Sequence, residues 1–271
     1  MAWSKVVSKV GAAVCVLWAL TALLPLGGGL LAQQAPGSTE QDAYSKDCRT
    51  PGVKIVLERP LPHTLAALRD RKIIKILTIG ASASPGSDPA GGGYQDIIED
   101  VLERTISGLD VQIIDRGISG ELARDAAERL KTEVALTEPD LVLWQVGTND
   151  ALSQIPVEEF QETVTEAIHW LRERNVDVVL VGLHYLRNMR SDPHYQAIRA
   201  TLTRIIDSER VLRIGRYEAM EVIERIRQAS SAGRASAFSL TEEGYSCMAE
   251  YVVRAITSAI FLKRPDRQPT N

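Results

Sequence analysis

Short apolar runs alternate with amphipathic segments along most of the chain, from residue 61 to residue 262. Five of the runs are apolar at consecutive positions, which is typical of strands covered on both faces of a sheet. They lie at 73–79, 111–114, 141–146, 176–183 and 211–214. Segments with helical spacing of apolar residues lie at 61–71, 94–107, 122–136, 157–175, 195–207, 217–228 and 241–262. Strands that alternate with helices predict right-handed βαβ units, and therefore one doubly wound α/β domain over 61–262.

The first 32 residues have the layout of a secretory signal peptide. Lys5 and Lys9 precede an uncharged apolar stretch at 10–26, and Ala32 is a small residue suited to a cleavage site. The apolar stretch is also near the lower length limit of a membrane-spanning helix, so an uncleaved anchor is the alternative. Both interpretations predict an exported protein, periplasmic or secreted, or held at the membrane by residues 10–26.

Polar segments flank the predicted domain on both sides. Residues 33–60 are interpreted as a linker or arm, because 33–45 is poor in large apolar residues. Residues 263–271 are polar and are predicted to be a disordered tail.

Charge and composition narrow the classes of function. The chain has 31 Lys+Arg against 35 Asp+Glu, a net charge of −4, and loss of Lys5 and Lys9 with a signal peptide leaves 29 against 35, or −6. No basic run stands out, so we predict no nucleic-acid partner. No Cys/His cluster has metal-ligand spacing, so we predict neither a metal nor a cofactor.

Two cysteines, Cys48 and Cys247, remain once a signal peptide containing Cys15 is removed. Export places them in an oxidising compartment, where a pair is a candidate disulfide. Two separate free thiols are the alternative.

Candidate chemistry follows the first three predicted strands. Ser82 comes after the first strand, Gly117 after the second and Asn149 after the third. In an open α/β sheet, ligands bind beyond the carboxyl ends of the strands. Acyl transfer needs a nucleophile and donors aimed at the developing oxyanion. The Ser82 hydroxyl can be the nucleophile, and the N–H groups of Ser82 and Gly117 with the Asn149 amide can be the donors.

These residues lie in segments that resemble a known family. Residues 76–82, 116–117 and 144–150 resemble, in order and spacing, the first three sequence blocks of the SGNH (GDSL-type) hydrolases. Residues 240–245 resemble the last block, which opens the final helix. The Gly-Thr-Asn-Asp segment within 144–150 is the most specific piece.

The resemblance implies a fold and an activity. The fold is a three-layer α/β/α, flavodoxin-like domain with a five-stranded parallel sheet in the order 2-1-3-4-5. The activity is hydrolysis of a small-molecule or carbohydrate ester, such as a short acyl or acetyl ester on a cell-envelope sugar. The implied roles are nucleophile for Ser82 and oxyanion donors for Gly117 and Asn149. The structural alternatives are that the strand-end glycines only form turns and that Asn149 caps a helix.

The sequence departs from the family pattern at the proton-carrying positions. Members usually carry Asp-x-x-His before the Gly-Tyr that enters the last helix, whereas Ser236 and Ser239 stand at the Asp and His positions here. Ala81 also replaces the usual Asp beside the nucleophile, a residue that carries no proton. A serine hydroxyl without a base is a poor nucleophile.

A substitute base would have to come from the four histidines. His184 follows the fourth strand at the correct edge of the sheet, and His194 lies in the next loop. His63 and His169 lie in helices and are interpreted as structural or solvent-facing. If His184 and His194 are ordinary loop residues, the alternative function is a catalytically impaired relative that binds acyl or carbohydrate ligands in the same cleft.

Overall fold

The computed structural model describes residues 44–71, 73–80, 94–229 and 241–261. The strands are Val56–Leu57 (β1), Ile73–Gly80 (β2), Asp110–Gly117 (β3), Leu141–Gln145 (β4), Asp177–Val181 (β5) and Leu212–Ile214 (β6). The helices are Pro62–Asp70 (α1), Tyr94–Thr105 (α2), Ala123–Thr137 (α3), Thr148–Leu152 (α4), Val157–Glu173 (α5), Pro193–Glu209 (α6), Arg216–Ala229 (α7) and Glu242–Phe261 (α8).

The strands form one sheet at the centre of a three-layer α/β/α fold. Strands β2 to β6 are parallel and lie in the order β3-β2-β4-β5-β6, which confirms the predicted 2-1-3-4-5 arrangement. The sheet has six strands rather than five, because β1 pairs antiparallel with the outer edge of β6. The prediction missed β1 because two residues are too few to show a strand period.

The central strands are buried on both faces, as their consecutive apolar residues predicted. Every residue of β4 and β5 is buried, because helices cover both faces of the sheet. On one side α2 packs against α8, and elsewhere α3, α5 and α6 pack in series. Helix α6 begins earlier than predicted because Pro193 suits the first turn and the Asp192 carboxylate accepts a hydrogen bond from the N–H of Tyr195 (2.7 Å).

Residues 44–60, interpreted from the sequence as an arm, pack against the domain. Tyr44 and Cys48 are buried, and the ring of Tyr44 meets that of Tyr251 of α8 edge to face. The Tyr251 hydroxyl donates to the carbonyl oxygen of Cys48 (2.5 Å). The segment then continues into β1, so it completes one edge of the sheet and contacts the last helix.

The predicted disulfide is present. Cys48 and Cys247 are bonded, with their Cα atoms 5.2 Å apart, and the bridge joins positions 199 residues apart in the sequence. The free-thiol alternative is therefore wrong. The bridge ties the segment before β1 to the first turns of α8.

Removing this bridge is expected to lower the free energy of unfolding. A crosslink restricts the unfolded chain, and native disulfides typically contribute about 2–4 kcal/mol. We expect Cys48→Ala/Cys247→Ala to lose an amount in that range in denaturant titration. Dithiothreitol should destabilise the wild type by a similar amount and leave the double variant unchanged. Equal stability of the two proteins without reductant would contradict a stabilising role.

Several sequence predictions fall outside the described residues. They are the signal peptide or anchor at 1–32, positions 33–43 of the arm, and the tail at 263–271. Within the described ranges, none of the helices has the length and apolar character needed to cross a membrane.

Candidate active site

The carboxyl ends of β2, β3 and β4 meet at one edge of the sheet. Gly80 ends β2 and pairs with Gly117 of β3 on one side and with Gln145 of β4 on the other. The predicted nucleophile, Ser82, comes two positions after Gly80 and lies outside the described residues. The described residues bring Gly117 and the loop that carries Asn149 to the edge at which β2 ends.

Two glycines at this edge are required by the backbone. Gly80 has φ of 93°, and a Cβ there would lie 2.1 Å from the carbonyl oxygen of Gln145. Gly147 has φ of 101°, and a Cβ there would lie 2.7 Å from Cδ1 of Leu183. Both glycines therefore have a structural role, since they let the chain turn sharply out of a closely packed sheet.

Asn149 connects two of the edge loops. It lies in the first turn of α4, and its Nδ2 donates to the carbonyl oxygen of Glu121 in the loop after β3 (3.0 Å). The N-cap of α4 is Gly147, so the interpretation of Asn149 as a helix cap is wrong. A side-chain amide nitrogen carries two hydrogens, so Asn149 can hold this loop and still donate to a bound group.

The next residue of the same block, Asp150, has a structural role. It is buried, and its Oδ1 accepts a hydrogen bond from the N–H of Ala123 at the start of α3 (2.9 Å). Burial raises the pKa of Asp150, while the hydrogen bonds that its carboxylate accepts from backbone N–H groups oppose that rise. Asp150 therefore fixes the position of α3 relative to the turn that presents Asn149.

The backbone N–H of Gly117 already has a partner. It donates to Oδ1 of Asp115 (3.0 Å), a carboxylate that also accepts from the Thr78 hydroxyl (2.6 Å) and from Nε2 of Gln95 (3.3 Å). An oxyanion would have to compete with this carboxylate for the Gly117 N–H. Asp115 was not among the predicted site residues, although an acidic residue near the end of a strand is a recognisable signal of one.

His184 lies at the same edge, after β5. Its backbone N–H donates to Oγ1 of Thr148 (2.9 Å), and its carbonyl oxygen accepts from the hydroxyl of Tyr195 (2.6 Å). These bonds fix the His184 backbone to α4 and α6. Burial, and secondarily the nearby Arg216 guanidinium, holds the pKa of His184 well below its ordinary value. The imidazole is therefore neutral at neutral pH and has a lone pair that can accept a proton.

The other three histidines occupy different positions. The backbone N–H of His63 donates to Asp177, the residue that opens β5, so His63 lies at the amino end of the sheet. His169 contacts Glu209 on the exposed surface (2.8 Å). His194 was predicted to lie in a loop, but it lies in the first turn of α6, which begins at Pro193. Its Nε2 is buried and has no hydrogen-bond partner among the described residues. The positions of His63 and His169 agree with their interpretation as structural or solvent-facing residues.

Three buried polar side chains are hydrogen-bonded in series beneath this edge, and none of them was predicted from the sequence. Nη1 of Arg216, the first residue of α7, donates to Oε1 of Gln145 (2.9 Å), and Nε2 of Gln145 donates to the Tyr94 hydroxyl (2.5 Å). Burial lowers the pKa of Arg216 to about 10 and raises that of Tyr94, so at neutral pH the first is a cation and the second is neutral. Gln145 could have indicated this group of side chains, because it is a polar residue at the end of a strand that is otherwise apolar.

The segment that replaces the family's Asp-x-x-His lies outside the described residues. Ser236 and Ser239 fall within 230–240, and the described chain resumes at Thr241. Helix α8 begins at Glu242, as the resemblance to the last sequence block implies.

Comparison with known proteins agrees with this architecture. The profile of the non-GDSL lipase-like family matches residues 47–261. An arylesterase of Vibrio mimicus is 28% identical over 110 residues, which are 40% of this chain and 54% of that protein. An acetylxylan esterase of Geobacillus stearothermophilus is 23% identical over 113 residues, which are 38% of this chain and 52% of that protein. The chain thus spans about half the length of these two relatives.

The fold of this chain also resembles those of solved esterase structures. The crystal structure of the acetyl xylan esterase AlAXEase has a TM-score of 0.58 and 17% identity, covering 68% of this chain and all of that one. The chain belongs to the non-GDSL lipase-like family, and its predicted resemblance to the SGNH/GDSL-type hydrolases is confirmed. It is therefore a member of a family of esterase- and lipase-like hydrolases.

Proposed function

We propose that this protein is a serine ester hydrolase in which Ser82 attacks the ester carbonyl. The observation that carries the proposal is the meeting of three strand ends at one edge, where Gly80 leads to Ser82 and is flanked by Gly117 and the Asn149 turn. Nucleophilic attack on an ester forms a tetrahedral oxyanion, which needs donors at the place where charge develops. The Gly117 N–H and the Asn149 amide are donors of this kind at the edge where β2 leads to Ser82.

The proposed substrate class is an acetyl or short acyl ester, including acetyl groups on a carbohydrate. The arylesterase and the acetylxylan esterase to which the chain is similar support ester substrates of this kind. The disulfide supports the further proposal that the protein works outside the reducing cytoplasm, as a periplasmic or secreted protein. A carbohydrate ester of the cell envelope is a substrate available there.

Asn149 is proposed as the main oxyanion donor. Its amide is held by the carbonyl oxygen of Glu121, and its second hydrogen is available for the oxyanion. Gly117 contributes a second donor when its N–H turns away from Asp115. Burial of Asp150 and its bond to Ala123 keep the Asn149 turn in place, so the donor is preorganised.

Replacing Asn149 is expected to lower kcat far more than it changes KM. Loss of one oxyanion donor typically lowers kcat by about 10²–10³-fold, because the interaction forms only in the transition state. Steady-state hydrolysis of 4-nitrophenyl acetate by Asn149→Ala measures this effect. Asn188→Ala, an exposed asparagine beyond β5, is the matched control and should retain wild-type kcat. A kcat within twofold of wild type for Asn149→Ala would remove Asn149 from the mechanism.

His184 is proposed as the general base. It lies at the correct edge, its backbone is fixed by Thr148 and Tyr195, and its imidazole is neutral at neutral pH. Its lowered pKa makes it a weaker base than an ordinary histidine, so the proposed hydrolysis is slow compared with family members that keep Asp-x-x-His.

The second candidate function is ligand binding without hydrolysis. It is favoured by Ser236 and Ser239, which stand where the family usually has its proton-carrying Asp and His. In this case the protein binds acetylated carbohydrate in the same cleft and leaves the ester intact. Wild type that binds acetylated xylan but releases no more acetate than Ser82→Ala would favour this function over hydrolysis.

A further inference from the structure

Arg216 is a buried cation with no acidic partner among the described residues. Only 2% of its surface is exposed, and its buried Nε has no hydrogen-bond partner within the ranges that the structure describes. The one bond of its guanidinium to a described residue runs from Nη1 to Gln145 (2.9 Å). In the part of the chain that the structure describes, no carboxylate lies within ion-pair distance of Arg216, although many other arginines have one.

Three tyrosine hydroxyl groups interact electrostatically with this charge, and all three are neutral. The guanidinium interacts electrostatically with the hydroxyls of Tyr94, Tyr195 and Tyr245. Burial raises the pKa of all three tyrosines, so none is ionised at neutral pH and none neutralises the cation. The nearby carboxylate of Asp115, which also acts on Tyr94, is engaged with Thr78, Gln95 and Gly117 rather than with Arg216.

The fold by itself does not account for a charge at this place. A buried charge without a partner is strongly destabilising, and such groups are concentrated at functional sites. The hydrogen bond to Gln145 needs only a donor, which a neutral side chain can supply. A negative group bound beside Arg216 would supply the partner that the described residues do not provide.

The position of Arg216 places that charge beneath the candidate active site. Its partner Gln145 ends β4 between Gly80, which leads to Ser82, and Val181, three residues before His184. The guanidinium also acts on the pKa of His184, which remains partly exposed at the same edge. Arg216 is thus linked through Gln145 to the strand end that leads to Ser82, and its charge acts on His184 at the same edge.

We propose that Arg216 recognises a negatively charged group, a carboxylate or a phosphate, carried by the ester substrate. A guanidinium suits either group, because its planar array of N–H donors matches their oxygen atoms. The hydroxyls of Tyr94 and Tyr245 lie around the same charge and supply neutral donors. This inference rests on the proposed function and narrows its substrate class to acidic esters.

Anion binding can be tested without any catalytic activity. Thermal unfolding is followed while inorganic phosphate, acetate or the neutral analogue acetamide is titrated into the full-length wild type, Arg216→Met, Arg216→Lys and Arg172→Met. Arg172 is the matched control, because it is an arginine paired with Glu209 on the surface. Phosphate or acetate should raise the unfolding temperature of the wild type, Arg216→Lys and Arg172→Met, and should leave that of Arg216→Met unchanged. Each comparison is made within one variant, so a change in intrinsic stability does not affect it.

Substrate choice is tested with pairs of esters that differ only in charge. On the acyl side the pair is mono-4-nitrophenyl succinate and its methyl ester; on the alcohol side it is an O-acetylated uronic acid and its methyl ester. The wild type should prefer the anionic member of one pair by about tenfold or more in kcat/KM, the effect of one charged hydrogen bond. Arg216→Met should reduce the preference to about one, and Arg216→Lys should retain part of it. The pair that responds identifies which side of the ester carries the charge.

The outcomes separate this inference from the proposed function. Efficient hydrolysis that ignores substrate charge in both pairs, with equal anion effects on wild type and Arg216→Met, overturns the inference and leaves the hydrolase proposal standing. Absence of hydrolysis, together with anion stabilisation that is lost in Arg216→Met, overturns the hydrolase proposal and supports the anion site.

Discussion

The double substitution Ser236→Asp/Ser239→His is expected to raise kcat/KM for a simple acetyl ester by up to about 10²–10⁴-fold, the usual contribution of a general base. Counted back from Gly244, the two serines are predicted to occupy the positions at which family members carry the acid and base that take the proton from the nucleophile. Restoring the pair supplies a histidine oriented by a carboxylate, which is a stronger base than His184 with its lowered pKa. Hydrolysis of 4-nitrophenyl acetate under single-turnover conditions measures the chemical step directly.

The gain must depend on the position of the histidine and on Ser82. Ser231→His places a histidine in the same segment, eight residues earlier, and should leave the rate unchanged. Adding Ser82→Ala to the double variant should abolish the gain, since a base has no effect without its nucleophile. A double variant that folds, as judged by its unfolding temperature, and hydrolyses no faster than wild type would show that Ser239 does not lie at the family's histidine position.

Ser82→Ala is expected to reduce hydrolysis to the residual acceleration supplied by the donors and by binding, about 10³–10⁴-fold over water in a serine protease stripped of its triad. If His184 is the base, His184→Ala should lower kcat/KM as much as Ser82→Ala does. The double variant should be no slower than either single one, because members of one catalytic unit are not additive. His63→Ala and His169→Ala are the controls, since His63 lies at the amino end of the sheet and His169 on the exposed surface.

The pH profile gives an independent measure of the same assignment. A base works in its neutral form, and burial together with Arg216 holds the pKa of His184 well below the ordinary histidine value of about 6.5. Activity should therefore remain constant as the pH falls through 6.5 and decline only in more acidic solution. A decline centred on the ordinary histidine pKa, or full activity in His184→Ala, would exclude His184 as the base and direct attention to His194.

The fold was largely predictable because its strands carry an unambiguous pattern. Strands β4 and β5 are apolar at consecutive positions, and the helices between the strands show clear helical spacing, so the α/β class followed from the pattern. The strand order was implied by the family resemblance and is the one observed. The short elements were missed because each is too short to repeat its strand or helix period often enough to be recognised. Two residues of β1 and five of α4 take their structure from neighbours, through pairing with β6 and through the left-handed turn at Gly147.

The sequence by itself determined which residues end the strands: Gly80 before Ser82, Gly117, and the turn that carries Asn149. Strand ends can be read locally, because an apolar run stops at a glycine and parallel strands end at the same edge. Only the tertiary structure decided what those residues contact. It showed the Gly117 N–H bonded to Asp115, the Asn149 amide bonded to Glu121, and the Arg216 cation placed beneath Gln145. Hydrogen bonds and unpaired charges depend on side chains that the fold brings together from distant parts of the chain, and no local pattern records those distances.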